Sequence, residues 1–179
     1  MNPIEHLLQE HRDIMSQVAD LRRAVTDLSA RGEAALPEAL PVFRRIGRMM
    51  ETQLAQHARK EDEALFPALE AIIGAEDGPT AVMRQEHKSI HGRGELLRRT
   101  LHELNEVEHP LIVAGGETMR SLTASGGTAD SLRANAQEII ELLDMHFVKE
   151  EQILFPMAQN MLDEGQMEEI GKQMEAIDS

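Results

Sequence analysis

The stretch His57-Ala-Arg-Lys-Glu61-Asp62-Glu63-Ala-Leu65-Phe66-Pro67 returns later in the chain as His146-Phe-Val-Lys-Glu150-Glu151-Gln152-Ile-Leu154-Phe155-Pro156. In both copies a histidine is followed four residues on by a glutamate, and Leu-Phe-Pro closes the motif. Positions four apart on a helix share a face and stand about 6 Å from one another along the axis. Each copy therefore presents one imidazole and one carboxylate to the same neighbour. Two copies make half of a two-metal site.

A second repeat widens the first. Gln9-Glu10-His11-Arg-Asp-Ile14 matches Gln85-Glu86-His87-Lys-Ser-Ile90. His11 and His87 are 76 residues apart, and His57 and His146 are 89 apart. The 13 extra residues fall in the stretch holding Gly115-Gly116 and Gly126-Gly127, where an insertion is tolerated.

Apolar periodicity around these motifs predicts four long helices. The first runs over about residues 3–30, with Asn2 as its cap and Pro3 in its first turn. The second covers 37–73 between Pro37 and Gly74. The third follows Asp77-Gly78-Pro79 and reaches about 107, with Pro110 as breaker. The fourth covers 131–162, its inward seam reading Leu132, Ala136, Ile139, Leu143, His146, Glu150, Ile153 and Met157. Pro67 and Pro156 lie inside helices and predict a kink in each. Residues 109–130 form a connector, with a short helix over 117–123. The expected architecture is an all-α, up-down-up-down four-helix bundle over residues 1–163. Residues 164–179 add a short C-terminal helix, packed on or extending the same domain.

Composition narrows the function. A net charge of −14 argues against nucleic acid, whose phosphates need Lys and Arg. There is no cysteine, which excludes disulfides, thiolate ligands and Cys nucleophiles. Neither a signal segment nor an apolar run long enough to span a bilayer is present, so a soluble cytoplasmic protein is the expectation. With no strand expected, a Gly-rich phosphate loop after a strand has no place either.

Seven polar residues stand on otherwise apolar seams: His11, His57, Glu61, His87, His91, His146 and Glu150. Burying so many polar groups together is costly unless they share a partner, and a shared cation centre supplies one. Imidazole and carboxylate donors suit iron, zinc, copper or manganese. Five histidines and two glutamates exceed the needs of one tetrahedral ion but match two ions bridged by both carboxylates. His91 has Met15 as its counterpart in the first half. On this count one ion receives His87, His91 and His146, the other only His11 and His57. The second ion then keeps an open position for a small diatomic molecule or a peroxide.

These motifs resemble those of the hemerythrin-like (HHE cation-binding) domain family over roughly residues 4–160. The resemblance rests on His11, on His57-x3-Glu61 with Leu65-Phe66-Pro67, on His87-x3-His91, and on His146-x3-Glu150 with Leu154-Phe155-Pro156. It implies two iron ions, oxo- or hydroxo-bridged, with Glu61 and Glu150 as bridges and an O2 position on the iron held by His11 and His57. Zinc or manganese are substitutes. In the oxygen-carrying members the helix-4 bridge is an aspartate five residues after its histidine, the place of Glu151 here. Five residues rotate about 140° on a helix and four about 40°, so Glu150 is the expected bridge and Glu61 is preferred over Asp62 likewise.

Glu10 and Glu86 precede ligand histidines, as carboxylates that fix an imidazole tautomer or as surface residues. Glu95 is a spare ligand, a proton relay or a surface residue. His102 lies eleven residues beyond His91, about 16 Å away, too far to join. His6 and His109 are expected to be exposed. Gly92 and Gly94 weaken the third helix, for close packing or for a small-ligand channel.

The functional expectation is a di-iron protein, more a binder than an enzyme, that takes O2 or a related molecule such as NO reversibly for sensing, storage or delivery. The competing readings are an enzyme acting on peroxide or NO, an iron donor or repair protein for damaged iron centres, and a non-redox structural site holding zinc. A ferritin-like ferroxidase needs Glu-x-x-His on two helices, and the lone instance, Glu106 with His109, directly precedes Pro110.

Overall fold

A computed structural model of the protein describes residues 2–76, 78–114 and 127–179. These are helical apart from short turns, with no strand among the described residues. Helix α1 spans Pro3–Arg31. The Asn2 side chain accepts from the backbone N–H groups of Ile4 and Glu5, and Pro3 occupies a position whose N–H has no helical partner. Gly32, at φ 56°, takes the left-handed turn that ends α1. A 3-10 turn over Gly32–Ala35 then leads into α2, residues 36–73.

Helix α2 is not uniform. Its segments Leu36–Met49, Ala55–Lys60 and Phe66–Ile73 are joined by π turns at Met50–Leu54 and Glu61–Leu65. Helix α3 spans Pro79–Ala114. Helix α4, residues 127–161, joins Gly127–Lys149 to Phe155–Met161 through a π turn at Glu150–Leu154. Helix α5, Glu164–Asp178, opens on a capping box between Asp163 and Gln166.

Around the bundle α1 neighbours α2, α2 neighbours α3, α3 neighbours α4, and α4 closes on α1. That is the up-down-up-down arrangement. No helix among the described residues is long and apolar enough to cross a membrane.

Three expectations change. Helix α3 runs past Pro110 to Ala114, because a proline removes one donor without ending a long helix. The kinks expected at Pro67 and Pro156 are π turns lying just before them. The N–H of Phe66 reaches the carbonyl of Glu61, and that of Phe155 reaches Glu150, each five residues back. The proline that follows has no N–H and crowds the carbonyl four residues before it, so the wider turn relieves both conflicts. The third change follows from the second. An extra residue in the turn shifts the inward position by one, so Ile153 is exposed while Leu154 is buried. Asp77 and residues 115–126, with the short helix expected over 117–123, lie outside the described residues.

Two apolar layers fill the bundle. One contains Leu21, Phe43, Leu97, Leu132 and Leu143, the other Ile4, Leu7, Leu65, Phe66 and Phe155. Ile170 and Met174 of α5 belong to the second layer. Met174→Ala is expected to destabilise the protein by about 2–5 kcal/mol, the range for emptying a buried Met site. Urea denaturation measures it, and an unchanged midpoint would mean that α5 contributes nothing to the core.

Candidate metal centre

Each inward polar residue sits where the sequence of its helix passes from one apolar layer to the other. His11 lies between Leu7 and Ile14, His57 between Leu54 and Ala64, His87 between Met83 and Ile90, and His146 between Leu143 and Leu154. A polar layer is thus sandwiched between two apolar ones. His11, His57, Glu61, His146 and Glu150 are buried to within 1 %.

Six of the seven sequence candidates meet. Donor atoms of His11, His57, Glu61 and Glu150 lie within 4.8 Å of one another, and so do those of Glu61, His87, His146 and Glu150. The two groups share both glutamates. Opposite donors on one first-row metal ion are about 4 to 4.4 Å apart, so each group needs to contract only slightly to hold one ion. Glu150 reaches both sides: its Oε2 is 3.2 Å from His11 Nε2 and its Oε1 is 2.9 Å from His146 Nε2. Glu61 Oε2 lies 3.5 Å from His57 Nε2 and 3.3 Å from His87 Nε2.

The structure does not bring His91 to the other six. It is exposed, outside both groups. The inward seam of α3 alternates steps of four and three through Met83, His87, Ile90, Gly94, Leu97 and Leu101. Beside Ile90, His91 is turned about 100° off that seam. The inequality expected from His91 against Met15 therefore gives way to two matched groups, each with two histidines.

The outward side of every ring is held. His11 Nδ1 donates to Glu151 at 2.8 Å, His57 Nδ1 to Glu10 at 3.0 Å, His87 Nδ1 to Asp62 at 3.2 Å, and His146 Nδ1 to Glu86 at 3.0 Å. A carboxylate only accepts, so the Nδ1 atoms carry protons, and a ring without a second proton turns a bare Nε2 lone pair inward. A ring that holds one, as His87 with its raised pKa does in the metal-free protein, gives it up to a metal. Each outer carboxylate is next in sequence to an inner residue, and it grips the histidine of an adjacent helix. Glu10 and Glu86 thus turn out to fix tautomers. Asp62 and Glu151, which lost the competition to bridge, do the same work. Lys60 and Lys149 bind Glu10 and Glu86 in turn. The acidic pair and the lysine recur at equal offsets in both copies of the motif, which was the signal for them.

Charge in the protein by itself is arranged for a cation. Burial, with help from His11, lowers the pKa of His57 against the pull of Glu10 and Glu150. Burial and the charge of Glu150 push Glu61 well above the usual carboxylate range. Burial also opposes ionisation of Glu150, but His11, His146 and His87 outweigh it and hold this carboxyl well below its ordinary value. Burial disfavours a charged His87 too, yet Asp62, Glu150 and Glu61 prevail and raise it to about 11. For Glu10, burial is overcome by His57 and Lys60, and its pKa falls to about 2.

Two observations test whether a metal fits. All four carboxylate oxygens of Glu61 and Glu150, and Nε2 of His87, are buried without an aligned hydrogen-bond partner. His11 Nε2 and His57 Nε2 face one another at 3.0 Å, a separation that two lone pairs hold only with a proton or a metal ion between them. Two imidazole donors at right angles on one ion, each about 2.1 Å from it, stand about 3 Å apart. The donor set fits.

Aromatic rings close one side. Phe147 stacks on His11 with centroids 3.9 Å apart, and Phe155 lies 5.4 Å from the same ring. Between α2 and α3, by contrast, a cavity of about 350 Å³ reaches His57, His87 and His146.

Other candidates fall elsewhere. His6, expected outside, is half-buried between Glu10 and Asp178, with Lys60 against its ring, because the end of α5 packs there. Glu95 pairs with Arg98 at the cavity. His102 is exposed. The side chains of Glu106 and His109 lie outside the described residues.

Glu151→Ala is expected to weaken metal binding about 10–100-fold, the range for losing a carboxylate that orients a ligand imidazole. Its side chain is 45 % exposed, so the fold should be unaffected. Competition against a chelator reads the affinity, and an unchanged value would remove the orienting role.

Comparison with known proteins places the chain in a family. Residues 2–123 match the Hemerythrin HHE cation binding domain. The chain is 31% identical over 111 residues to the iron-sulfur cluster repair protein YtfE of Escherichia coli O81, a span covering 62% of this chain and 44% of that one. The corresponding protein of Escherichia fergusonii is 30% identical over the same shares. The chain thus aligns with less than half the length of these relatives.

Proposed function

The chain belongs to the hemerythrin HHE cation-binding family, and from that premise we propose that His11, His57, Glu61, His87, His146 and Glu150 hold two iron ions. In this reading Glu61 and Glu150 are shared between the ions and His91 is not a ligand. The centre binds O2 or NO reversibly for sensing, storage or delivery. The observation that carries the reading is the pair of donor groups sharing two buried carboxylates without hydrogen bonds. Zinc or manganese would satisfy the same donors, zinc without the electrons that iron supplies.

When bound, ferrous ions would supply the electrons that hold a diatomic ligand. The protein does the rest. Glu151, Glu10, Asp62 and Glu86 keep the Nδ1 protons outside, so every Nε2 stays a donor. Phe147 and Phe155 exclude water from the His11 side. The cavity between α2 and α3 leaves the opposite side open to a small molecule.

A second reading, iron donation or repair of damaged iron centres, is supported by the names of the relatives. Catalysis on peroxide or NO is the third, and turnover beyond one equivalent would mark it. Anaerobic loading with ferrous iron followed by air tests the first. An oxygen-dependent visible band that reverses on deoxygenation is expected. An irreversible change on first exposure, or transfer of the iron to a cluster-depleted acceptor protein, would replace reversible binding with one of the others.

A further inference from the structure

We propose that the cavity between α2 and α3 binds an organic carboxylate with a short apolar tail, a ligand well beyond diatomic size. The inference goes beyond O2 or NO binding and rests on the cavity itself.

The cavity is written into the differences between the halves. At the repeat offsets, Gly94 takes the place of Val18, Ala58 that of Phe147, and His91 that of Met15. Val18 and Phe147 are buried and fill the space between α1 and α4. Their counterparts Gly94 and Ala58 line the opening between α2 and α3. A Cβ on Gly94 would stand 3.2 Å from Cε of Met50, so a larger residue there would press Met50 against its surroundings. One face of the centre is plugged by a phenylalanine and a valine. The other has lost both.

Size comes next. A water takes up about 30 Å³, and a diatomic needs little more, whereas small-molecule pockets begin near 300 Å³. The cavity of about 350 Å³ falls in the second class. Met50, Leu54 and Ile90 supply apolar walls.

Charge selects the ligand. The acids at the cavity are already paired: Arg98 joins Glu51 at 3.7 Å to Glu95 at 2.9 Å, and Arg84 holds Asp62 at 3.1 Å. These two arginines stand about 21 Å apart along α3 and tie it to α2 at both ends of the opening. Lys88 and His91 lie between them, both exposed at the opening, with His91 acting on Glu95 through space rather than in a close ion pair. A carboxylate on Lys88 and His91, with its tail between Met50, Leu54 and Ile90, satisfies both parts.

Calorimetric titration of the full chain with octanoate, metal-free and iron-loaded, tests this. One octanoate per chain is expected in the metal-free protein, at least tenfold tighter than octan-1-ol. Ala58→Phe, which copies Phe147, should weaken octanoate at least tenfold while leaving metal content unchanged. Gly94→Val, copying Val18, gives the same reading should the first variant fail to fold. No octanoate binding, or equal binding by the filled variants, would overturn the site. Octan-1-ol binding as tightly would overturn the carboxylate. Because the metal-free protein is read, failure here is separate from failure of the iron reading.

Discussion

Glu61→Met combined with Glu150→Met is expected to abolish metal binding. Both carboxylates are fully buried, and none of their oxygens has an aligned hydrogen-bond partner. Without a cation they crowd one another, and the raised pKa of Glu61 reflects its burial first and that conflict second. They are nevertheless shared by both donor groups, so their loss removes two ligands from each ion at once. Elemental analysis of the variant reads the loss, and urea denaturation of its metal-free form shows that it is folded. A folded variant that still binds both ions would show that the glutamates are not ligands.

The second large effect is thermal. Ferrous iron at one hundred times its dissociation constant should contribute about 2.7 kcal/mol for each site. Two sites give about 5 kcal/mol, and a domain of this size gains about 2–4 °C per kcal/mol. The melting temperature is therefore expected to rise by roughly 10–20 °C on loading. His57→Ala should lose most of that rise, because His57 Nε2 is the close partner of His11 Nε2. His91→Ala should keep it. Scanning calorimetry decides, and a loaded protein melting with its metal-free form would contradict a two-ion centre.

The bundle and six of its inner residues were legible because a repeated His-x3-Glu has the period of a helix and four helices have one inside. His91 was misplaced for a related reason. Steps of three and of four from His87 both point inward by periodicity, and the seam through Ile90 and Gly94 settles the choice only when α2 and α4 are in place. Ile153 was misplaced because ideal helical spacing ignores the π turn at Glu150–Leu154, although Pro156 signalled a disturbance. Asp62 and Glu151 were read as failed bridges. Their work on His87 and His11 depends on which helix lies alongside, which spacing within one helix does not report. The open side of the centre was sought in the number of histidines. It lies instead in Ala58 against Phe147 and Gly94 against Val18, visible in the repeat but meaningful only once the paired helices face one another.

Metal content per chain, measured on iron-loaded protein and on His91→Ala side by side, addresses the central claim most directly. Two ions per chain are expected in both. One ion per chain in the parent, or a fall from two to one in His91→Ala, would contradict a centre built from two matched donor groups sharing Glu61 and Glu150.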